Sequence, residues 1–285
     1  MASLTLGCGE WGFRNRAIPE WMALATSLGF RHLEFGIGGG WPGRLPETPT
    51  AADVANFRRL AERHGVTTRY CCLENDFTKA DAAEHDAQVR KVMAQLRPAA
   101  DCGAEVVRLF AGFTPAEQVN ETIWKRLLDA LATCAETANR RGMTLAIETH
   151  GAISQLPDGS LAHRHTVSTR RDCLRRLLRE MPPDVGINYD PGNLKAADPT
   201  DSQYAADLVA GRVTYCHLKD WRRTGGGWVA CAPGDDDLDY AKLLPARTFD
   251  GVYLIEYEPL DDTADGIRRS LDYLRRVVPG ATLAG

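Results

Sequence analysis

The chain has 285 residues, with 34 lysines and arginines against 38 aspartates and glutamates, and a formal net charge of −4. Hydrophobic residues make up 44% and charged residues 25%, a balance that permits a buried core, and no Ser/Gly/Pro-rich linker divides the chain, so one domain over residues 1–285 is expected. The slightly acidic balance gives no electrostatic reason to expect nucleic acid. No apolar run approaches the ~20 residues of a membrane-spanning helix, and residues 1–7 lack a basic, apolar leader, so a cytoplasmic address without membrane contact is expected.

Short β-rich runs alternate with stretches whose apolar residues recur at helical spacing. A first strand is predicted at 4–8 and a second at 32–37, followed by Gly38, Gly39 and Gly40. Val54, Phe57, Leu60 and Ala61 make a helical stripe that stops at Gly65, and strands at 67–73 and 106–110 follow. Ile123, Leu127, Leu131, Cys134 and Ala138 form the next stripe before strands at 144–149, 185–190 and 213–218. The segment 221–239 is long for a strand-to-helix join and is expected to shape or close a pocket. A last strand at 252–257 precedes the stripe Ile267, Leu271, Leu274 and Val278. Eight strands with intervening helices predict an α/β fold, a single (β/α)8 barrel. An open doubly wound sheet is the alternative, but no GxGxxG follows the first strand. The eight cysteines contain no CxxC pair and several sit in apolar runs, the pattern of buried reduced thiols.

A barrel of this kind works at the C-terminal ends of its strands. Glu148, Asp190, His217 and Glu256 each lie at the end of an apolar run, where a charge is costly unless paired or metal-bound. Period-two alternation turns Leu145, Ile147, Val185, Ile187, Tyr189, Cys216, Leu218, Tyr253, Ile255 and Tyr257 toward the helices. It turns Ala146, Glu148, His150, Asn188, Asp190, Tyr215, His217, Lys219, Leu254 and Glu256 inward. Three carboxylates and an imidazole meeting at one mouth repel unless a cation joins them. The oxygen-rich set points to one divalent metal ion, Mn2+ first, with Mg2+, Co2+ and Zn2+ also compatible.

With these four residues in this order, the chain resembles the xylose isomerase-like TIM barrel superfamily, which includes sugar isomerases and epimerases, inosose and 3-dehydroshikimate dehydratases, and endonuclease IV. The resemblance spans nearly the whole chain. It implies metal ligation by Glu148, Asp190, His217 and Glu256, and an isomerase or epimerase acting on a keto-sugar, cyclitol or related polyhydroxy carbonyl. In that chemistry the metal stabilises an enediolate while Glu148 and Glu256 serve as the catalytic acid/base pair. A lyase of the inosose or 3-dehydroshikimate dehydratase type is the alternative, and the HLKD segment at 217–220 looks like that of inosose dehydratases. Endonuclease IV needs further histidines, but Arg108 and Asn193 stand where two of them would be, and no DxH lies between His217 and Glu256. A non-catalytic sugar-binding protein and a homo-oligomer both stay open.

Six further residues are candidate substrate contacts. His150 and Lys219 face inward beside ligands, and Asn193 stands where many relatives have a histidine. Arg223, with Arg222 beside it, resembles in position an arginine of ketose epimerases, and Glu34 and Arg108 lie on early strands near the mouth. For each, an internal ion pair or hydrogen bond is the competing role. Trp11 and Trp41 follow the first two strands and offer an apolar wall for a sugar ring.

Overall fold

In the computed structural model, which describes residues 4–244 and 249–283, eight parallel strands pair in chain order. They are Leu4–Cys8, His32–Ile37, Thr67–Leu73, Val106–Phe110, Thr144–Glu148, Gly186–Tyr189, Val213–Leu218 and Val252–Ile255. The eighth returns to the first, Thr5 opposite Val252 and Cys8 opposite Ile255, and the sheet closes into the expected (β/α)8 barrel. A two-residue strand, Ala281–Thr282, runs along the outer side of Leu4 and Thr5.

Three strands, the fifth, sixth and eighth, end one or two residues short of the runs that predicted them. Asp190 leaves the ladder to cap the helix Pro191–Ala197, its carboxylate accepting from the Asn193 amide at 2.9 Å. The strand-to-helix step thus places the Asp190 carboxylate at the barrel mouth. The covering helices begin and end on local signals. Thr50 caps Ala51–His64 by accepting from the Asp53 amide, and Gly65 stops it in a left-handed conformation, φ 60°. The stripes of Glu121–Asn139 and Thr263–Val277 are buried against the outer face of the barrel.

The inward and outward faces follow the period-two reading. Leu145, Ile147, Val185, Ile187, Tyr189, Cys216, Leu218, Tyr253, Ile255 and Tyr257 belong to the core between barrel and helices. Tyr70, Ala146, Tyr215, Val252 and Leu254 pack together as a separate layer inside the barrel, with Tyr70 and Tyr215 ring centroids 4.7 Å apart. This layer floors the site. All eight cysteines are free thiols, buried except for the half-buried Cys173. Among the described residues no helix is long and apolar enough to cross a membrane.

The segment 221–239 is not a plain loop. Its first part belongs to a hairpin, Asp220–Thr224 with Gly227–Cys231, which turns through a left-handed Gly225. A second hairpin, Ala152–Gln155 with Leu161–Arg164, joins it through Trp228 opposite Leu161, giving a four-stranded antiparallel sheet beside the mouth. Trp221 and Trp228 pack with Ala196 on one face of this sheet. These strands have only four or five residues and no long apolar run, so the sequence periodicity did not separate them from loop.

Candidate metal centre

Glu148 ends the fifth barrel strand, Asp190 follows the sixth, His217 is the penultimate residue of the seventh, and Glu256 follows the eighth. Each offers one ligand-capable atom within 4.8 Å of the others, and all four residues are buried. Their side chains converge because strand alternation points them inward at a common height in the barrel.

A second set of residues fixes their orientation. Glu34, on the second strand and fully buried, accepts a hydrogen bond from His217 Nε2 at 2.6 Å and another from the Tyr215 hydroxyl. With Nε2 so engaged, Nδ1 is the nitrogen turned to the carboxylates, 3.3 Å from Glu256 Oε2 and 3.8 Å from Glu148 Oε1. The Asn188 side-chain amide lies 3.2 Å from the same nitrogen. Asn193 Nδ2 donates to both Glu148 Oε1 and Asp190 Oδ2 at 3.0 Å, while its own oxygen accepts from the Trp221 indole. Arg108 Nε is 3.0 Å from Glu148 Oε2. Lys219 Nζ is 2.6 Å from Glu256 Oε2 and 3.5 Å from Asp190 Oδ2.

Electrostatically the site is under tension. Burial, reinforced by Glu148 and Glu256, pushes the Asp190 carboxyl up to about 7 despite the opposing pull of Lys219. Burial acts upward on Glu34 too, but His217, Arg108 and the Tyr215 hydroxyl outweigh it and hold that carboxyl at about 2. For His217 burial favours the neutral ring, yet Glu256 and Glu34 overcome this and raise its pKa well above the usual imidazole value. The metal-free centre therefore carries protons that a cation would displace. Oε2 of Glu148 and of Glu256 is buried with ion-pair contacts but no hydrogen bond, and hard oxygen donors beside an imidazole suit a divalent cation. The residues present fit such an ion.

Above them lies a cavity of about 310 Å³, lined on one side by Glu148, His150, Glu256, Glu258 and Lys219, and elsewhere by Trp11, Arg14, Glu74, Arg108, Phe110, Phe113, Ile153 and Leu161. Charged groups stand there beside aromatic and aliphatic side chains, the mix of a small-molecule pocket.

The family model for the xylose isomerase-like TIM barrel matches residues 22–277. The chain belongs to this family. Among solved structures, the xylose isomerase-like barrel resembles the 3-keto-D-glucoside 4-epimerase of E. coli at 16% identity, covering 96% of this chain and 99% of that one, TM-score 0.72. It resembles equally a xylose isomerase-like TIM barrel protein of Mycobacterium smegmatis in complex with magnesium, at 16% identity over 98% and 100% of the two chains, TM-score 0.72. A probable 3-DHS dehydratase of Bacillus anthracis matches at 14% identity over 95% and 98%, TM-score 0.70. No curated protein matches in sequence.

Within this xylose isomerase-like barrel the other candidate residues take distinct places. His150 Nδ1 donates to the Gly151 carbonyl at 2.6 Å, which leaves Nε2 as an acceptor, and the ring packs edge-on against Phe110 and Phe113. Burial lowers its pKa and keeps it neutral. Arg108 and Lys219 line the cavity, and Asn193 lies directly behind Glu148 and Asp190. Glu34 sits beneath His217 rather than at the mouth. Arg223 is not gathered with the others. It is exposed on the hairpin, its guanidinium 5.8 Å from the centre of the Trp228 ring, and Arg222 is exposed beside it. Trp11 and Trp41 meet edge to face at 5.7 Å, with Arg14 and Arg44 against Trp11.

Several residues of the site escaped the sequence reading. Buried Glu10 and Arg44 and half-buried Glu74 form an ion-pair chain beside Arg108, and Glu258 lies 2.6 Å from Lys219. One more step of the alternation beyond Glu256 would have found Glu258.

Proposed function

We propose that this chain is a divalent-metal-dependent isomerase or epimerase of a keto-sugar or related polyhydroxy carbonyl. The observation that carries the reading is the convergence of Glu148, Asp190, His217 and Glu256 within 4.8 Å of one another, with Glu148 and Glu256 lining a cavity of about 310 Å³. The four would hold one divalent cation, Mn2+ or Mg2+ by the chemistry of the donors. When bound, the cation would polarise a substrate carbonyl and favour ionisation of the adjacent C–H.

Glu148 and Glu256 are the acid/base pair. They enter the cavity from the fifth strand and from beyond the eighth, so one takes a proton from the carbon next to the carbonyl and the other returns one from a different direction. Arg108 and His217 outweigh burial and favour the ionised form of Glu148, to which Asn193 also donates, while Lys219 contacts Glu256 at 2.6 Å. His150, neutral with Nε2 open, accepts a substrate hydroxyl, and the aromatic wall of Trp11, Phe110 and Phe113 excludes water. A dehydratase is the second reading, favoured by the two carboxylates that line the cavity: the one that takes the proton from the carbon beside the carbonyl can pass it to a departing β-hydroxyl, which leaves as water. Incubation with ketoses and ketocyclitols in D2O separates the two. Deuterium at the carbon beside the carbonyl of an epimer or isomer supports the first, an enone product supports the second, and neither exchange nor enone with any substrate contradicts both.

Two expected outcomes concern the centre itself. Glu34→Gln removes the carboxylate behind His217 and should weaken Mn2+ binding by about 10- to 100-fold in calorimetry. An unchanged affinity would mean that His217 is not a ligand. The second is pH dependence. Only ionised Asp190 can bind a cation, and its folded pKa of about 7 means that protons compete more as pH falls. Apparent Mn2+ affinity should therefore drop from pH 8 to pH 6, with proton release on binding seen by calorimetry in two buffers of different ionisation enthalpy. A flat profile would contradict Asp190 ligation.

A further inference from the structure

Lys219 brings a positive charge into the centre that the fourfold donor set is suited to fill. It follows His217 by two residues and so faces the same way, and its side chain is only 2% exposed. Its ammonium is 2.6 Å from Glu256 Oε2 and 3.5 Å from Asp190 Oδ2, two of the four candidate donors. It is also 2.6 Å from Glu258 Oε1, which is not one of the four. Glu258 is anchored in turn, because its backbone carbonyl accepts from Arg14 at 2.9 Å.

A unit positive charge within contact distance of two donor carboxylates opposes a doubly charged ion strongly at the low effective dielectric of a buried site. Both cations can be accommodated only if the ammonium retreats to a carboxylate outside the set. We propose that Lys219 is the resident counter-ion of the metal-free centre, and that on binding of a divalent cation it gives up Asp190 and Glu256 and keeps Glu258 alone. This rests on the metal reading above. Lys219 lets the empty centre stay folded by offsetting buried carboxylates, at the cost of affinity for the ion. Glu258 is the seat that limits that cost. If Lys219 instead served only to hold Glu256 in place, its removal would loosen a donor and weaken binding, which is the opposite sign.

The test is calorimetric titration of Mn2+ at fixed pH and ionic strength into the full chain stripped with chelator, as wild type, Lys219→Met, Glu258→Gln and the double variant. Lys219→Met should bind Mn2+ at least about tenfold more tightly, since loss of a nearby unit charge outweighs the freedom gained by one carboxylate. Glu258→Gln should bind about tenfold more weakly, and the double variant should match Lys219→Met, because the seat matters only while the lysine is present. Without metal, Lys219→Met should melt about 10 °C lower than wild type, and excess Mn2+ should restore it. Should that variant not survive stripping, its affinity is read by chelator competition from the loaded protein, alongside Lys219→Gln. Equal or weaker binding by both Lys219 variants overturns the proposal, as does a Glu258→Gln effect that persists in the Lys219→Met background. Wild type that neither binds Mn2+ nor gains melting temperature from it contradicts the metal reading itself, independently of any variant.

Discussion

Glu148→Gln and Glu256→Gln should each reduce turnover on the true substrate by about 10²- to 10⁴-fold or more, the range for loss of a general acid or base, with donor loss added to it. The substitution keeps side-chain volume and a hydrogen-bonding oxygen, so the barrel should persist while the proton-accepting group is gone. The two variants should fail differently. Glu148 is held by Arg108 at 3.0 Å and by Asn193, so its amide replacement leaves a buried guanidinium with a weaker partner and should also lower stability. Glu256 sits against Lys219, which keeps Glu258 as a second partner, so Glu256→Gln should cost less in stability. Chemical denaturation beside steady-state kinetics checks both. Full activity in either variant would remove the two-base assignment.

Stripping the protein of divalent ions should abolish activity, and Mn2+ or Mg2+ should restore it. Buried Asp190, Glu148 and Glu256 repel one another and are offset only in part by Lys219 and Arg108. An ion that binds only the folded chain stabilises it by about 2.7 kcal/mol at a hundredfold excess over its dissociation constant, a rise of about 5–10 °C in melting temperature for a barrel of this size. Differential scanning calorimetry with and without Mn2+ reads this directly. Activity that survives exhaustive chelation would rule out the metal.

The architecture was legible because short β-rich runs with period-two sidedness alternate with helical stripes. Leu145 and Ile147 meet helices while Ala146 and Glu148 meet the interior, and that alone located four inward polar residues at strand ends. Sidedness does not say what an inward residue touches. Glu34 and Arg108 look alike from the sequence, yet Glu34 lies deep under His217 whereas Arg108 reaches the cavity and Glu148. The Glu10, Arg44 and Glu74 chain depends on three separate loops meeting, which no local pattern encodes. Arg223 shows the same limit. The short hairpin that carries it pairs Arg223 with Trp228, and this pairing sets where the guanidinium goes.

Anomalous diffraction from crystals grown with Mn2+ is the most direct measurement of the central claim. A single manganese peak bonded to Glu148, Asp190, His217 Nδ1 and Glu256 is the predicted result. Saturating Mn2+ with no peak among these four side chains, or a peak held by other residues, would contradict the account.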